Sequence, residues 1–71
     1  MAAVRALTGT VTEFDEPRGL GEVLDDEGTA WPFHCTAIAD GSRTILVGTT
    51  VTFDVVPGRL GRWEASGLRP S

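Results

Sequence analysis

His34 and Cys35 are adjacent, and an imidazole beside a thiol is the pair from which a cysteine nucleophile with its own base is built. Such a site needs the two side chains to meet and a third group to orient the base. Neighbours on a strand point to opposite faces, and no orienting carboxylate stands at a defined spacing, so the pairing reads as structural. Cys35 is the single cysteine, which excludes an internal disulfide and a cysteine-based zinc site. No Ser, His, Asp or Glu constellation, glycine-rich phosphate loop or metal-ligand spacing is present. The expected chemistry is therefore non-covalent, with no catalytic residue, metal or cofactor.

Two other groups of residues carry recognition chemistry. Gly19 and Gly21, two apart in Arg18-Gly19-Leu20-Gly21-Glu22-Val23, leave one face of a strand uncovered, so that a ligand can approach the backbone closely. The same glycines also suit a tightly packed barrel with or without a ligand. What such a platform binds depends on Leu20, Glu22, Pro32 and His34; a lone histidine there either stacks on a ligand or is a surface residue without a task. Arg59, Arg62 and Trp63 form the second group, around a turn between two strands. They either supply a stacking and phosphate-binding site, with Arg18 and Arg43 at its margin, or Trp63 folds back against the end of the barrel.

The chain that must position these residues has 71 residues and a net charge of −4. A domain of this size buries only about 60% of its unfolded surface, so it needs a compact design. Residues 1–36 hold two arginines against seven acids, and residues 37–71 four arginines against three, leaving −5 and +1 on the two halves. The surface is therefore dipolar, and a role resting on a strongly basic face is disfavoured. No run approaches the roughly 18 apolar residues of a membrane span, and the first seven residues lack the apolar core of a secretion signal. With one reduced cysteine as well, the expectation is a soluble cytoplasmic protein with no membrane partner.

The elements read as short strands in one domain, 1–71, with a core from about 7 to 69. Leu7 to Phe14 is the first strand, with a bulge expected near Glu13 where alternation slips. Asp15 to Arg18 is a turn, Gly19 to Asp25 the second strand, Asp26-Glu27-Gly28 a tight turn, and Thr29 to His34 the third strand. Cys35 to Ile38 suits a single 3₁₀ turn. Val51, Phe53 and Val55 alternate with Thr50, Thr52 and Asp54 in the fourth strand, and Trp63 to Leu68 is the fifth. Five short strands without helical periodicity describe an all-β closed or nearly closed barrel.

From Gly9 to Pro70 the chain resembles the bacterial cold-shock domain, a five-stranded antiparallel OB-fold barrel. That family reads G-x-V-x-W-F, K-G-F-G-F-[IV], V-F-V-H-F-S-A-I, T-L-x-x-G and V-x-F-x-V. This chain has Gly9-Thr10-Val11-Thr12-Glu13-Phe14, Arg18-Gly19-Leu20-Gly21-Glu22-Val23, Trp31-Pro32-Phe33-His34-Cys35-Thr36-Ala37-Ile38, Thr44-Ile45-Leu46-Val47-Gly48 and Val51-Thr52-Phe53-Asp54-Val55. The resemblance implies binding of single-stranded RNA or DNA on exposed aromatic rings with cationic and polar residues around them. Mapped position by position, it implies a nucleic-acid site with Phe14, Arg18 and His34 carried over and Leu20 standing where the family has a ring; Arg59, Arg62 and Trp63, with Arg18 and Arg43 at the margin, are a displaced group that the residues themselves suggest as compensation. Trp31 and Phe33 replace inward-facing valines of the family and are expected to enlarge the core.

Six of the family's ring positions carry other residues here: Glu13, Leu20, Glu22, Pro32, Cys35 and Ser42. Base stacking is worth about 1–3 kcal/mol per base. Even at about half a kilocalorie each, the six losses remove ~3 kcal/mol, or more than about a hundredfold in affinity. The expectation is a weakened, non-catalytic nucleic-acid-binding module with little base preference. The alternative is a protein-interaction or self-association module using Leu20, Pro32 and Cys35 as an apolar patch rimmed by Glu13, Asp15 and Glu22, suited to a basic partner or a homodimer.

Overall fold

Alternation of apolar and polar residues at period two fixes the centre of the fold. In the computed structural model, which describes residues 6–58 and 61–71, Val51, Phe53 and Val55 are almost wholly buried on β4 (Thr50–Pro57). The other strands are β1 (Leu7–Asp15), β2 (Leu20–Asp25), β3 (Ala30–His34) and β5 (Trp63–Pro70), with a 3₁₀ helix at Cys35–Ala37. They form one antiparallel sheet in the order β3-β2-β1-β4-β5. Beyond β3 the chain meets β5 in a parallel bridge between Ile38 and Leu68, with the Ala39 amide donating to the Leu68 carbonyl at 2.8 Å. That contact curls the sheet into the expected five-stranded OB-type barrel. Among the described residues no helix is long and apolar enough to cross a membrane.

Two irregularities keep the core side chains on one face. The β1–β2 register shifts between Val11 and Glu13, where the sequence predicts a bulge, and the extra residue sends Thr12 and Glu13 both outward. Val11 and Phe14, three apart, can then share the inner side. In β5 the register against β4 shifts between Thr52 and Asp54, and Gly67 opposite this point adopts φ 62°, a conformation that glycine takes without penalty. Ala65 and Leu68 are both buried as a result. This second irregularity also carries β5 on to Pro70, beyond the expected end at Leu68, with Val51 opposite Pro70.

Phe33 is buried as expected, whereas Trp31 is only half-buried and packs at the edge of the core. The reason lies in the β2–β3 turn. One oxygen of Asp25 accepts from the amides of Glu27 and Thr29, both at 2.9 Å, and the other accepts from the Trp31 indole N–H at 2.9 Å. The indole thus serves the turn and cannot sink fully into the interior. These bonds, the indole first and then the Thr29 amide, hold the Asp25 carboxyl below its ordinary value of 3.8. A carboxylate with a depressed folded-state pKa stabilises the fold at neutral pH, and this contribution is lost as pH falls through the folded value. Asp25→Asn should therefore melt below the wild type at neutral pH, and the difference should shrink on acidification below 3.8, as followed by thermal denaturation monitored by circular dichroism.

At Gly21 the neighbouring strands leave no space for a side chain. A Cβ there would lie 2.5 Å from Phe33 Cζ and 2.8 Å from the Glu13 carbonyl oxygen, so the position has room for hydrogen alone. Phe33 stacks in turn on Phe14, with ring centroids 6.0 Å apart and planes 8° from parallel. Gly21→Ala should destabilise the protein by about 1–3 kcal/mol through forced displacement of Phe33, read as a lower urea midpoint at unchanged slope.

Candidate functional site

Cross-strand register builds the outer face of β1, β2 and β3. Asp15, Leu20 and His34 lie in one row, Glu13, Glu22 and Pro32 in the next, and Thr10, Leu24 and Ala30 in the third. Proline is admissible at position 32 because β3 stands last in the strand order and has fewer ladder bonds to lose. Leu20 is 48% exposed, so an aliphatic side chain stands open to solvent at the start of β2, the central strand of this face. Carboxylates flank it. Glu13 and Glu22 sit directly opposite each other, an arrangement of like charges that disfavours a further negative group nearby.

Of the residues proposed from sequence, Leu20 and His34 are brought together as direct cross-strand partners. Arg18 lies at the end of the preceding turn, its Nε 3.7 Å from Asp15 Oδ2, and both side chains are so exposed that the pair adds little stability. Phe14 lies elsewhere: opposite Gly21 and stacked on Phe33, it is on the inner side of the sheet, away from Leu20 and His34. Arg43 is exposed in the loop before β4, with φ 63°. Arg62 is exposed just ahead of β5, and Arg59 lies outside the described residues.

Trp63 opens β5 opposite Pro57 and, with Leu7, Trp31 and Val55, lines an apolar cleft of about 230 Å³. It therefore turns toward the end of the barrel, in a different cavity from the one that Leu20 and His34 share. Even so, 47% of it remains exposed.

The cavity beside Leu20 and His34 is larger, about 910 Å³, and its other walls are Thr36, Pro57, Gly58 and Glu64. Sequence reading missed Thr36, Pro57 and Glu64. Thr36 follows His34 by two residues, whereas Pro57 and Glu64 reach this place because the Ile38–Leu68 bridge lays the start of β5 alongside the end of β3, a closure that no local pattern encodes. The sequence signal for Glu64 was its place beside the small apolar Ala65 on the fifth strand: Ala65 is inward, so Glu64 faces out.

Thr36, two residues further along the chain, holds the His34 ring in place. The imidazole Nδ1 accepts from the Thr36 amide at 3.2 Å and lies 3.0 Å from Thr36 Oγ1, capping the 3₁₀ helix. With Nδ1 engaged as acceptor, the neutral ring carries its proton on Nε2. Cys35 departs from the strand-parity expectation: the 3₁₀ helix begins there, and Sγ comes within 3.8 Å of Nδ1. The Cys35 amide donates to the Gly19 carbonyl at 2.7 Å, and its side chain packs on the core, drawn away from the Leu20–Pro32 patch. Among the described residues there is no group of three or more His, Cys, Asp and Glu side chains placed to hold a metal ion.

No family model matches the chain. Over 56 residues it is 45% identical to the cold shock-like protein CspA of Shewanella violacea, an alignment that takes in 76% of this chain and 80% of that protein.

Proposed function

The chain belongs to the bacterial cold-shock protein family, and from that membership we propose that it is a non-catalytic cytoplasmic module binding single-stranded RNA or DNA weakly. The observation that carries this reading is the pairing of exposed Leu20 with His34 on an open sheet face beside a groove. An aliphatic side chain and an imidazole together offer a base an apolar contact and a flat partner, though less than a set of rings gives. Arg18 borders this centre. Trp63, in a separate cleft, enters the proposal as a second stacking contact with Arg43, Arg59 and Arg62 as phosphate-binding side chains, and Phe14, on the inner side, supports the face through Phe33.

Weakness stems from the surroundings of the contact. Glu13, Asp15 and Glu22 lie within two rows of Leu20 and repel phosphates, while the exposed Arg18 is already shared with Asp15. The same carboxylates favour a second reading, in which Leu20 and Pro32 dock a basic protein segment or a second copy of the chain. Cys35 contributes less to that patch than expected because it packs on the core.

Fluorescence anisotropy with a labelled single-stranded heptanucleotide, at low salt and then at rising salt, tests the first reading. Binding should be micromolar or weaker and should fall as salt rises, as phosphate contact requires. The triple variant Glu13→Trp, Leu20→Phe and Glu22→Phe should bind at least about tenfold more tightly, since three stacking contacts are gained and two repelling charges removed. Absence of wild-type binding together with no gain in the variant would reject the nucleic-acid reading and leave the protein-docking one.

A further inference from the structure

Resting on the reading above, we propose that Glu64 makes the groove beside His34 a pocket selective for an unpaired guanine. The expectation of little base preference rests on the aromatic and cationic positions, and Glu64 is not among them. Four observations place its carboxylate in the groove. It lines the same groove as Leu20, His34, Thr36 and Pro57. Ala65 is buried, so Glu64 points outward from β5. Its side chain lies directly across Gly58, where any Cβ would collide with Cγ, Cδ and Oε2 of Glu64; the glycine gives the carboxylate a floor. Gly58 is itself held, its amide donating to the Arg62 carbonyl at 2.6 Å.

The groove therefore presents a carboxylate acceptor, the Nε2–H donor left by the Thr36 cap on Nδ1, and two apolar walls, Leu20 and Pro57. An ionised carboxylate accepts two parallel hydrogen bonds. Guanine alone among the bases offers two adjacent donors, N1–H and the 2-amino group, on its Watson–Crick edge. Adenine and cytosine offer one amino group beside a ring acceptor that the carboxylate repels, and thymine or uracil flanks its single N3–H with two carbonyls. The remaining acceptors of guanine, O6 and N7, suit the imidazole donor, and its faces suit Leu20 and Pro57. Edge reading of splayed single-stranded bases is the ordinary route to base preference on an open sheet.

The test compares a thymidine heptamer with the same heptamer carrying one central guanine, or one central inosine, by anisotropy at low salt. A single guanine also avoids four-stranded assemblies. The guanine heptamer should bind about tenfold more tightly than the all-thymidine one, the size of one good bidentate contact. Inosine lacks the 2-amino group and should keep only about threefold of that preference. Glu64→Gln, shown to be folded by its circular dichroism and melting temperature, should bring the guanine and thymidine heptamers to within about twofold. Measurable binding that is equal for the wild type across the three heptamers would overturn the guanine pocket and leave weak binding standing. A preference that survives unchanged in folded Glu64→Gln would also overturn it. Failure to bind any heptamer would reject both this pocket and the proposed function beneath it.

Discussion

The approach of Phe33 to Gly21 ties the inside of the barrel to its outside. With no side chain at position 21, the Phe33 ring can lie against β2 and stack on Phe14, completing an interior of Val11, Val23, Val51, Phe53, Val55 and Leu68. Strand periodicity then leaves no choice for the neighbours: Leu20 and Glu22 must face out, opposite His34 and Pro32. The bulge between Val11 and Glu13 does the same on β1, sending Glu13 outward so that Phe14 can turn in. Core packing thus decides which residues meet a ligand. The sequence at those outward positions decides what the ligand meets.

What it meets is an electrostatic mismatch with nucleic acid at the centre and better complementarity at one side. Glu13, Asp15 and Glu22 share the face with Leu20, and their field acts over a Debye length of about 10 Å in ordinary buffers. A phosphate backbone would run past this group at a penalty, while a base edge rich in hydrogen donors would be attracted by a carboxylate. On the proposed reading, affinity and base preference therefore have different sources. The shared barrel supplies an accessible surface, and the charges tune what settles on it.

Much of this was legible in the chain. The Val51, Phe53 and Val55 alternation, the Asp26-Glu27-Gly28 turn and the slip at Glu13 each obey a local rule, and the structure follows all three. Features that depend on distant or competing partners were not legible. Trp31 stays half-buried because Asp25 holds its indole. β5 runs on to Pro70 because Gly67 absorbs a register shift. His34 and Cys35 meet because the 3₁₀ helix starts immediately after the strand. The groove itself exists only once Ile38 reaches Leu68. Trp63 admits two readings from sequence, and its place beside Leu7, Trp31 and Val55 favours the one in which it turns to the end of the barrel.

On the proposed reading, an intact cold-shock barrel meets its ligand with an aliphatic and acidic face, the contact centred on Leu20 and His34. Backbone amide shifts of the ¹⁵N-labelled protein, titrated with a short unpaired oligonucleotide, test it most directly. Progressive, fast-exchange shifts concentrated on Leu20, Glu22, His34 and Glu64 are expected. Slow-exchange spectra saturating at one equivalent, or shifts confined to Leu7, Trp31 and Trp63 at the end of the barrel, would contradict it.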